Sequence, residues 1–172
     1  MRNQMSTDIP WPLPHISLVT DAHLNALRSE HKKKASGTRQ KEKLGHSEKQ
    51  YELASVSHPE RRFRLFMRQS LSNLDVFSVG LALMRDEGDL VLCRYNSGHH
   101  GHRNILEKTK IPPACHQHLA TQRYVLAGLE SKGFAVLRTE YNSIEGALAL
   151  MVLECNIENV LQYDRQAKLF SP

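Results

Sequence analysis

The chain has 172 residues, an ordinary share of apolar residues and a net charge of +5, which together are typical of a folded domain with an appendage. No apolar run approaches the roughly 18 residues that a bilayer crossing needs, and the N-terminus lacks the apolar stretch of a secretory signal. Three widely spaced cysteines argue against a disulfide framework and include no CxxC pair for zinc, so we expect a cytoplasmic protein with no membrane partner.

The first 50 residues are predicted to be an appendage outside the main domain. Residues 1–19 contain several prolines and no periodic pattern, which predicts an extended arm. A short helix follows, with Thr20 or Asp21 as its N-cap and Leu24 and Leu27 facing inward. The apolar face of this helix is thin, so it must lean on another element or on a partner chain.

A basic segment, "KKKASGTRQKEK" at residues 32–43, completes the appendage. Its lysine, glycine, serine and glutamine content predicts a flexible linker that reaches to about residue 50. Its lysines could also neutralise the phosphates of a nucleic acid, and Lys32, Lys33 and Lys34 are the candidates for that contact.

A compact domain is predicted over residues 51–157. The segment "RFRLFMRQS" at 62–70 alternates apolar and arginine residues, and "FSVGLALM" at 77–84 alternates large apolar and small residues. The turns between such segments are too short for parallel crossovers. We therefore predict an antiparallel β-meander of about four to five strands.

Two helices are expected in the second half of that domain. The segment 119–133 has leucines at helical spacing and Gly133 as its stop. The segment 142–157 has the clearest helical periodicity and a capping pair, Asn142 and Glu145. Helices packed on one face of an antiparallel sheet define an α+β fold. The charged tail, residues 158–172, is expected to be weakly structured.

Histidines are concentrated in one short window. Five of the ten fall in "HHGHRN" at 99–104 and "CHQH" at 115–118. His100 and His102 are two positions apart, as are His116 and His118, so in extended backbone each pair projects to one side. The chain between the two pairs must return to the rim of the sheet, and we therefore expect the four imidazoles to converge at one end of it.

A metal site is one interpretation of this window. Three or four imidazoles could bind a divalent transition metal such as zinc, nickel, copper or iron. Catalytic metal sites usually include a carboxylate, and Glu107 is the acid inside the window. Glu140 and Glu145 are the acids that could arrive from elsewhere in the fold.

Proton transfer without a metal is a second interpretation. A neutral histidine could accept the proton of a 2′-hydroxyl while a charged one donates a proton to the leaving oxygen, which is the chemistry of an RNA-directed phosphodiesterase. Guanidinium and amide groups near the histidines would bind the phosphate. The candidates are Arg94, Asn96, Arg103, Asn104 and Arg123.

A third interpretation is structural. The histidines could bond to backbone carbonyls and order their loop, while Arg94 and Asn96 serve as turn and edge residues of "YNSG".

The stretch "DLVLCRYNSGHHGHRN" followed by "IPPACHQHLATQRY" resembles a pattern in small uncharacterised bacterial proteins. In that pattern a strand ending in Arg-Tyr-Asn leads into His-x-His-x-Asn and then His-x-His before a helix. It is similar, more distantly, to TumE-type toxins of bacterial toxin–antitoxin pairs, although Asn96-Ser97 stands here where those toxins have Asp-Asn. The matching positions are Arg94, Tyr95, Asn96, His100, His102, Asn104, His116 and His118.

This resemblance covers residues 60–157 and implies a small α+β bacterial protein encoded beside a partner in a toxin–antitoxin or phage-defence locus. The sequence therefore leaves three alternative functions open. The chain is a toxin-like protein that acts on RNA and binds an antitoxin, a non-catalytic partner-binding protein with a structural or interfacial histidine loop, or a metal-binding enzyme of unknown substrate. The basic segment 32–43 favours nucleic acid.

Overall fold

A computed structural model describes residues 9–129, 133–158 and 160 of the chain. The helices in this part are a 3-10 helix (Ile16–Leu18), α1 (Asp21–Ser29), α2 (Gln122–Leu126) and α3 (Ile144–Glu154). None of the helices described has the length and apolar character that a bilayer crossing requires. The strands are β1 (Lys32–Lys43), β2 (His46–Ser55), β3 (Arg62–Ser70), β4 (Phe77–Leu83), β5 (Leu90–Asn96), β6 (His102–Asn104), β7 (Thr109–Ile111), β8 (His116–Leu119), β9 (Phe134–Leu137) and β10 (Ile157–Glu158).

Eight of these strands form one sheet in the order β10-β1-β2-β3-β4-β5-β8-β9, and β6 and β7 form a separate hairpin. Neighbouring strands in the sheet are antiparallel, except that β1 and β10 run parallel. The α+β class is therefore confirmed, but four to five strands was too few. Two segments that were expected to be a linker and a loop, residues 32–43 and 116–119, each contribute a strand.

Helices α1 and α3 pack against one face of the sheet, as predicted. The alternation in β3 and β4 places Phe63, Leu65, Val79 and Leu81 in the core with no exposed surface. Leu24 and Leu27 of α1 are equally buried against the same face, which confirms the inward stripe of that helix. Thr20 is its N-cap and accepts a hydrogen bond from the His23 backbone N–H.

The prediction of a flexible linker over residues 32–43 is wrong. The segment pairs with β2 from Lys32 opposite Ser55 to Lys43 opposite His46, with one irregularity between Lys34 and Thr38. Its composition is compatible with a strand because, among the described residues, β10 pairs with Lys32 and Lys33 alone, which leaves the rest of β1 at the edge of the described sheet, where charged side chains reach water. The predicted domain boundary at residue 51 falls inside β2.

The arm and the C-terminal region also differ from the expectations. Ile9 and Val19 are buried in the core, and the Ile9 carbonyl accepts a hydrogen bond of 3.1 Å from Arg61. Residues 1–8 and most of the predicted tail, 159 and 161–172, lie outside the described residues. Glu158, which was assigned to the tail, belongs to β10.

The two C-terminal helices are shorter than their sequence patterns. Leu119 belongs to β8, and α2 covers only Gln122–Leu126, while residues 130–132 lie outside the described part. The cap of α3 is Ser143, whose hydroxyl accepts a hydrogen bond from the Gly146 N–H at 3.1 Å, and Asn142 is not the cap.

Candidate functional site

The site is built on two adjacent strands, β5 and β8. Their antiparallel register sets Arg94 opposite His118 and Asn96 opposite His116. Paired residues of neighbouring strands project to the same face. Tyr95, between the two polar residues of β5, is fully buried on the opposite face among the core residues. The four polar side chains therefore form a patch on the face of the sheet away from the helices, which we call the outer face.

The β6–β7 hairpin folds over this patch and is held by Asn104. The Asn104 amide donates to the Ala135 carbonyl at 2.9 Å and accepts from the Ala135 N–H at 2.8 Å, so it replaces a missing strand partner of β9. Only 2% of Asn104 is exposed. The prediction that Asn104 binds substrate is therefore not supported by its position, because both polar groups of its side chain are used to fix the hairpin.

This arrangement brings three of the predicted histidines together. The ring centroid of His102, at the start of β6, lies 4.4 Å from that of His118 and 6.0 Å from that of His116. The His116 and His118 centroids are 5.1 Å apart. His100 is exposed and packs edge-on against His99 at 4.2 Å. It lies on the rim, outside the three-ring cluster.

An open cavity of about 650 Å³ adjoins the cluster. All five histidines of the window line it, together with Arg94, Asn96 and Arg103. His99 is a lining residue that the pairwise spacing argument did not select, although it stands beside His100 in the sequence. The described lining contains no carboxylate, so the charged groups that face the cavity are all basic.

Arg94 differs from three arginines of β3, two strands away in the sheet, in having no ion pair among the described residues. Arg62, Arg64 and Arg68 each form an ion pair, with Glu52, Asp89 and Glu48 respectively. Arg94 is partly buried, and its Nε, like that of Arg62, is buried without a hydrogen-bond partner in the described part of the chain. Burial lowers the pKa of its guanidinium, and no carboxylate in the described part of the chain opposes that effect. A partly buried charge without a partner is unfavourable, so an anion in the cavity would stabilise this residue.

The three imidazoles are not equivalent. Burial lowers the pKa of His102, and the neighbouring His116 and Arg94 lower it further, while contacts with the Gly133 backbone and with Asn104 act in the opposite direction. The ring is therefore biased toward its neutral form. Its Nε2 is buried and has no hydrogen-bond partner among the described residues.

His116 is oriented by the backbone. Its Nδ1 lies 2.8 Å from the Ala114 carbonyl oxygen, which can only accept, so Nδ1 carries the proton and Nε2 is the atom that can exchange one. Ala114 is held close to the preceding loop: a Cβ added to Gly98 would lie 2.8 Å from the Ala114 Cα. Glycine at position 98 is thus required for the two loop segments to approach each other.

Arg123, the third predicted phosphate-binding arginine, does not line the cavity. It lies on α2, and its guanidinium forms an ion pair of 2.9 Å with Glu107, which also accepts a hydrogen bond of 2.6 Å from the Tyr124 hydroxyl. Glu107 is likewise engaged in this contact.

Lys32 is not available to a nucleic acid, contrary to the prediction. It is fully buried, and its ammonium group donates to the carbonyls of Arg28, Glu30 and Cys155 at 2.8, 2.7 and 3.2 Å. Desolvation lowers its pKa to about 8. Lys33 is exposed and Lys34 is partly exposed. Both lie on β1, which is separated by four strands of the sheet from β8, the strand of His116 and His118.

The donors in the described residues do not form a metal site. Over 9–129, 133–158 and 160, no three histidine, cysteine, aspartate or glutamate side chains are arranged to hold an ion. Glu140, a predicted distant ligand, is bound to Arg138 at 3.1 Å. Comparisons of the chain with protein-family profiles, with curated proteins and with solved structures gave no match.

Proposed function

We propose that the cavity binds a phosphodiester of RNA and that its histidines transfer protons during cleavage, as expected of a toxin-like component of a toxin–antitoxin or phage-defence locus. The observation that carries this proposal is the composition of the cavity wall: five imidazoles, Arg103 and Arg94, with neither a carboxylate in the described lining nor an ion pair of Arg94 in the described part of the chain. Such a wall favours an anion over a cation or a neutral ligand.

Arg94 is the central phosphate-binding residue in this proposal. Its guanidinium is fixed on a central strand, whereas Arg103 is exposed on the hairpin that covers the cavity. The guanidinium of Arg94 would donate hydrogen bonds to the phosphate oxygens. Asn96, one step along the same face of β5, lies where its amide can contact the same ligand or the adjoining ribose.

Two histidines divide the acid–base work. His102, with its lowered pKa, is the base that removes the proton from a ribose 2′-hydroxyl, whose oxygen then attacks phosphorus. This step requires that ligand binding uncover His102 Nε2, which is buried and unpartnered among the described residues of the free protein. His116, oriented through its Nδ1, is the acid whose Nε2 donates a proton to the 5′-oxygen as the bond from phosphorus to that oxygen breaks. His118, between these two rings and opposite Arg94, positions both.

A non-catalytic histidine loop remains the alternative, because the bond from His116 to Ala114 would also order the loop without any chemistry. Single replacements of His102 and His116 by Ala separate the two functions when melting temperature and cleavage of an oligoribonucleotide are measured together. Catalysis predicts loss of cleavage with melting temperatures near that of the wild type. A purely structural role predicts lower melting temperatures and no cleavage by the wild-type protein itself.

His58→Ala is the matched control for these variants, because His58 is a partly exposed histidine whose ring lies 3.5 Å from Glu60 and away from the cavity. Elemental analysis of the wild-type protein shows in the same preparation whether a transition metal copurifies. Growth inhibition on expression, relieved by the product of a neighbouring gene, would test the toxin–antitoxin assignment.

A further inference from the structure

The outer face carries a second feature that the histidine site does not use. A row of side-chain positions crosses six adjacent strands, each position paired directly with the next. In order from β1 to β8, the row is Arg39, Gln50, Phe66, Gly80, Arg94 and His118. Paired residues share a face, so this row leads from the exposed edge strand to the histidine cluster.

Phe66 is an aromatic residue in a polar setting. Its neighbours on the same face of β3 are Arg64 and Arg68, since residues two apart in a strand project to one side. Phe66 is only partly buried, whereas the alternate residues Phe63 and Leu65 are fully buried in the core. An aromatic ring on this face is therefore not explained by the core of the protein.

Gly80 gives the Phe66 ring its position. A Cβ added at Gly80 would lie 2.0 Å from Phe66 Cζ, so the ring rests directly on the backbone of β4. The backbones at Phe66 and Arg94 are two strand spacings apart, or about 10 Å. The Phe66 ring, which lies over Gly80 of the intervening strand, is on the side of Phe66 toward Arg94.

We propose that a single strand of RNA lies across this face, with one phosphate at Arg94 and a neighbouring base stacked on Phe66. The proposal rests on the function proposed above and extends it from a phosphodiester to an unpaired, extended strand. Aromatic side chains flanked by basic residues bind unpaired bases by stacking, whereas the bases of a duplex are already stacked on one another. The exposed Arg39 lies beside the path that the strand would take, as do Arg64 and Arg68, which would exchange their ion pairs with Asp89 and Glu48 for contacts with phosphates.

Binding to the full-length protein tests this inference with three probes: inorganic phosphate, a dinucleotide and a hexanucleotide. The RNA probes carry 2′-O-methyl groups, which block attack on phosphorus. Phe66→Leu should weaken hexanucleotide binding about tenfold and leave phosphate binding unchanged. Phe66→Tyr keeps the ring and should bind as the wild type does. Phe134→Leu, which alters another partly buried phenylalanine beside Tyr124, is the control.

The outcomes distinguish this inference from the function on which it rests. If the wild type binds phosphate but the hexanucleotide no better than the dinucleotide, or if Phe66→Leu binds the hexanucleotide normally, the inference is overturned and the phosphate site stands. If neither phosphate nor RNA binds, the proposed function fails and the inference fails with it. Gly80→Ala, which must displace the Phe66 ring, should reproduce the Phe66→Leu result, and melting temperatures establish that each variant is folded.

Discussion

Arg94 and His118 lie directly opposite each other on strands β5 and β8, on the face of the sheet away from the helices. This pairing places a guanidinium and an imidazole side by side where, in the described part of the chain, Arg94 has no carboxylate partner. Arg94 also lowers the pKa of the nearby His102, because two positive charges disfavour each other. A bound anion removes this conflict, and the proposed phosphodiester site depends on that relationship.

Replacing Arg94 by Gln should weaken the binding of inorganic phosphate and RNA about 10- to 100-fold, because hydrogen bonds to charged groups contribute roughly 1.5–3 kcal/mol. The melting temperature should stay the same or rise, since the change removes a partly buried charge that lacks a partner. Equilibrium titration and thermal melting measure the two effects.

Arg123→Gln is the matched control for Arg94→Gln, because Arg123 is ion-paired with Glu107 outside the cavity. Its phosphate affinity should equal that of the wild type. Equal losses in both variants would mean that general positive charge, and not the Arg94 position, attracts the anion.

The stability of the protein should fall as the pH drops below about 6.5, in part through His102. The pKa of His102 is lowered from 6.5 in the folded state, chiefly by burial, so the unfolded chain takes up this proton first as the pH falls. The stabilisation is complete above pH 6.5 and is lost as the pH falls toward the folded-state value. Urea unfolding at several pH values should show a flatter acid limb for His102→Gln than for the wild type.

His58→Gln serves as the comparison in that series, because it removes an imidazole that lies outside the cavity. If His102→Gln and the wild type lose free energy of unfolding in parallel, then the environment of His102 does not disfavour its charged form.

Lys32→Met should lower the free energy of unfolding by roughly 2–4 kcal/mol, because three backbone carbonyls lose their donor while the apolar volume is kept. The melting temperature should fall by about 10 °C. Lys33→Met, one position along the same strand and exposed, should change it little. Weaker RNA binding by a folded Lys32→Met protein would restore this residue as a nucleic-acid contact.

The sequence predicted the strands and the helix that line the core better than it predicted the edge strand β1. Alternation in β3 and β4 identified their core residues, and Thr20 with two leucines identified α1, because in each case burial of one face imposes a regular period. The segment 32–43 has no such period. It is a strand because β2 supplies its hydrogen bonds, and that partner is not visible in its composition.

The candidate site was predictable in outline for a related reason. Strand register places Arg94, Asn96, His116 and His118 on one face of the sheet. Part of this arrangement can be predicted from the sequence, because residues two apart in a strand project to the same side. The partners of Asn104, Arg123 and Lys32 lie 31, 16 and up to 123 positions away, so their structural roles could not be read from local pattern. Glu107, for example, is a candidate metal ligand in the sequence, but in the structure its carboxylate binds Arg123 and Tyr124.

Removal of residues 1–50 should prevent folding. The sequence interpretation made this segment separable, but it contributes β1, the first half of β2 and the buried residues Ile9, Val19, Leu24 and Leu27. A chain that begins at Tyr51 would expose the core residues that these side chains cover. Circular dichroism and thermal melting of the shortened chain test this, and a cooperative transition near the wild-type temperature would support the original boundary.

The products of RNA cleavage test the central claim most directly. A purified wild-type protein, incubated with an oligoribonucleotide, should yield fragments that end in a 2′,3′-cyclic phosphate and fragments that begin with a 5′-hydroxyl, both identifiable by mass spectrometry. A single 2′-deoxy substitution should abolish cleavage after that nucleotide alone, because the attacking hydroxyl is missing. Absence of cleavage by the wild-type protein, or equal cleavage of the deoxy-substituted position, would contradict the account of a histidine and arginine site that acts on RNA.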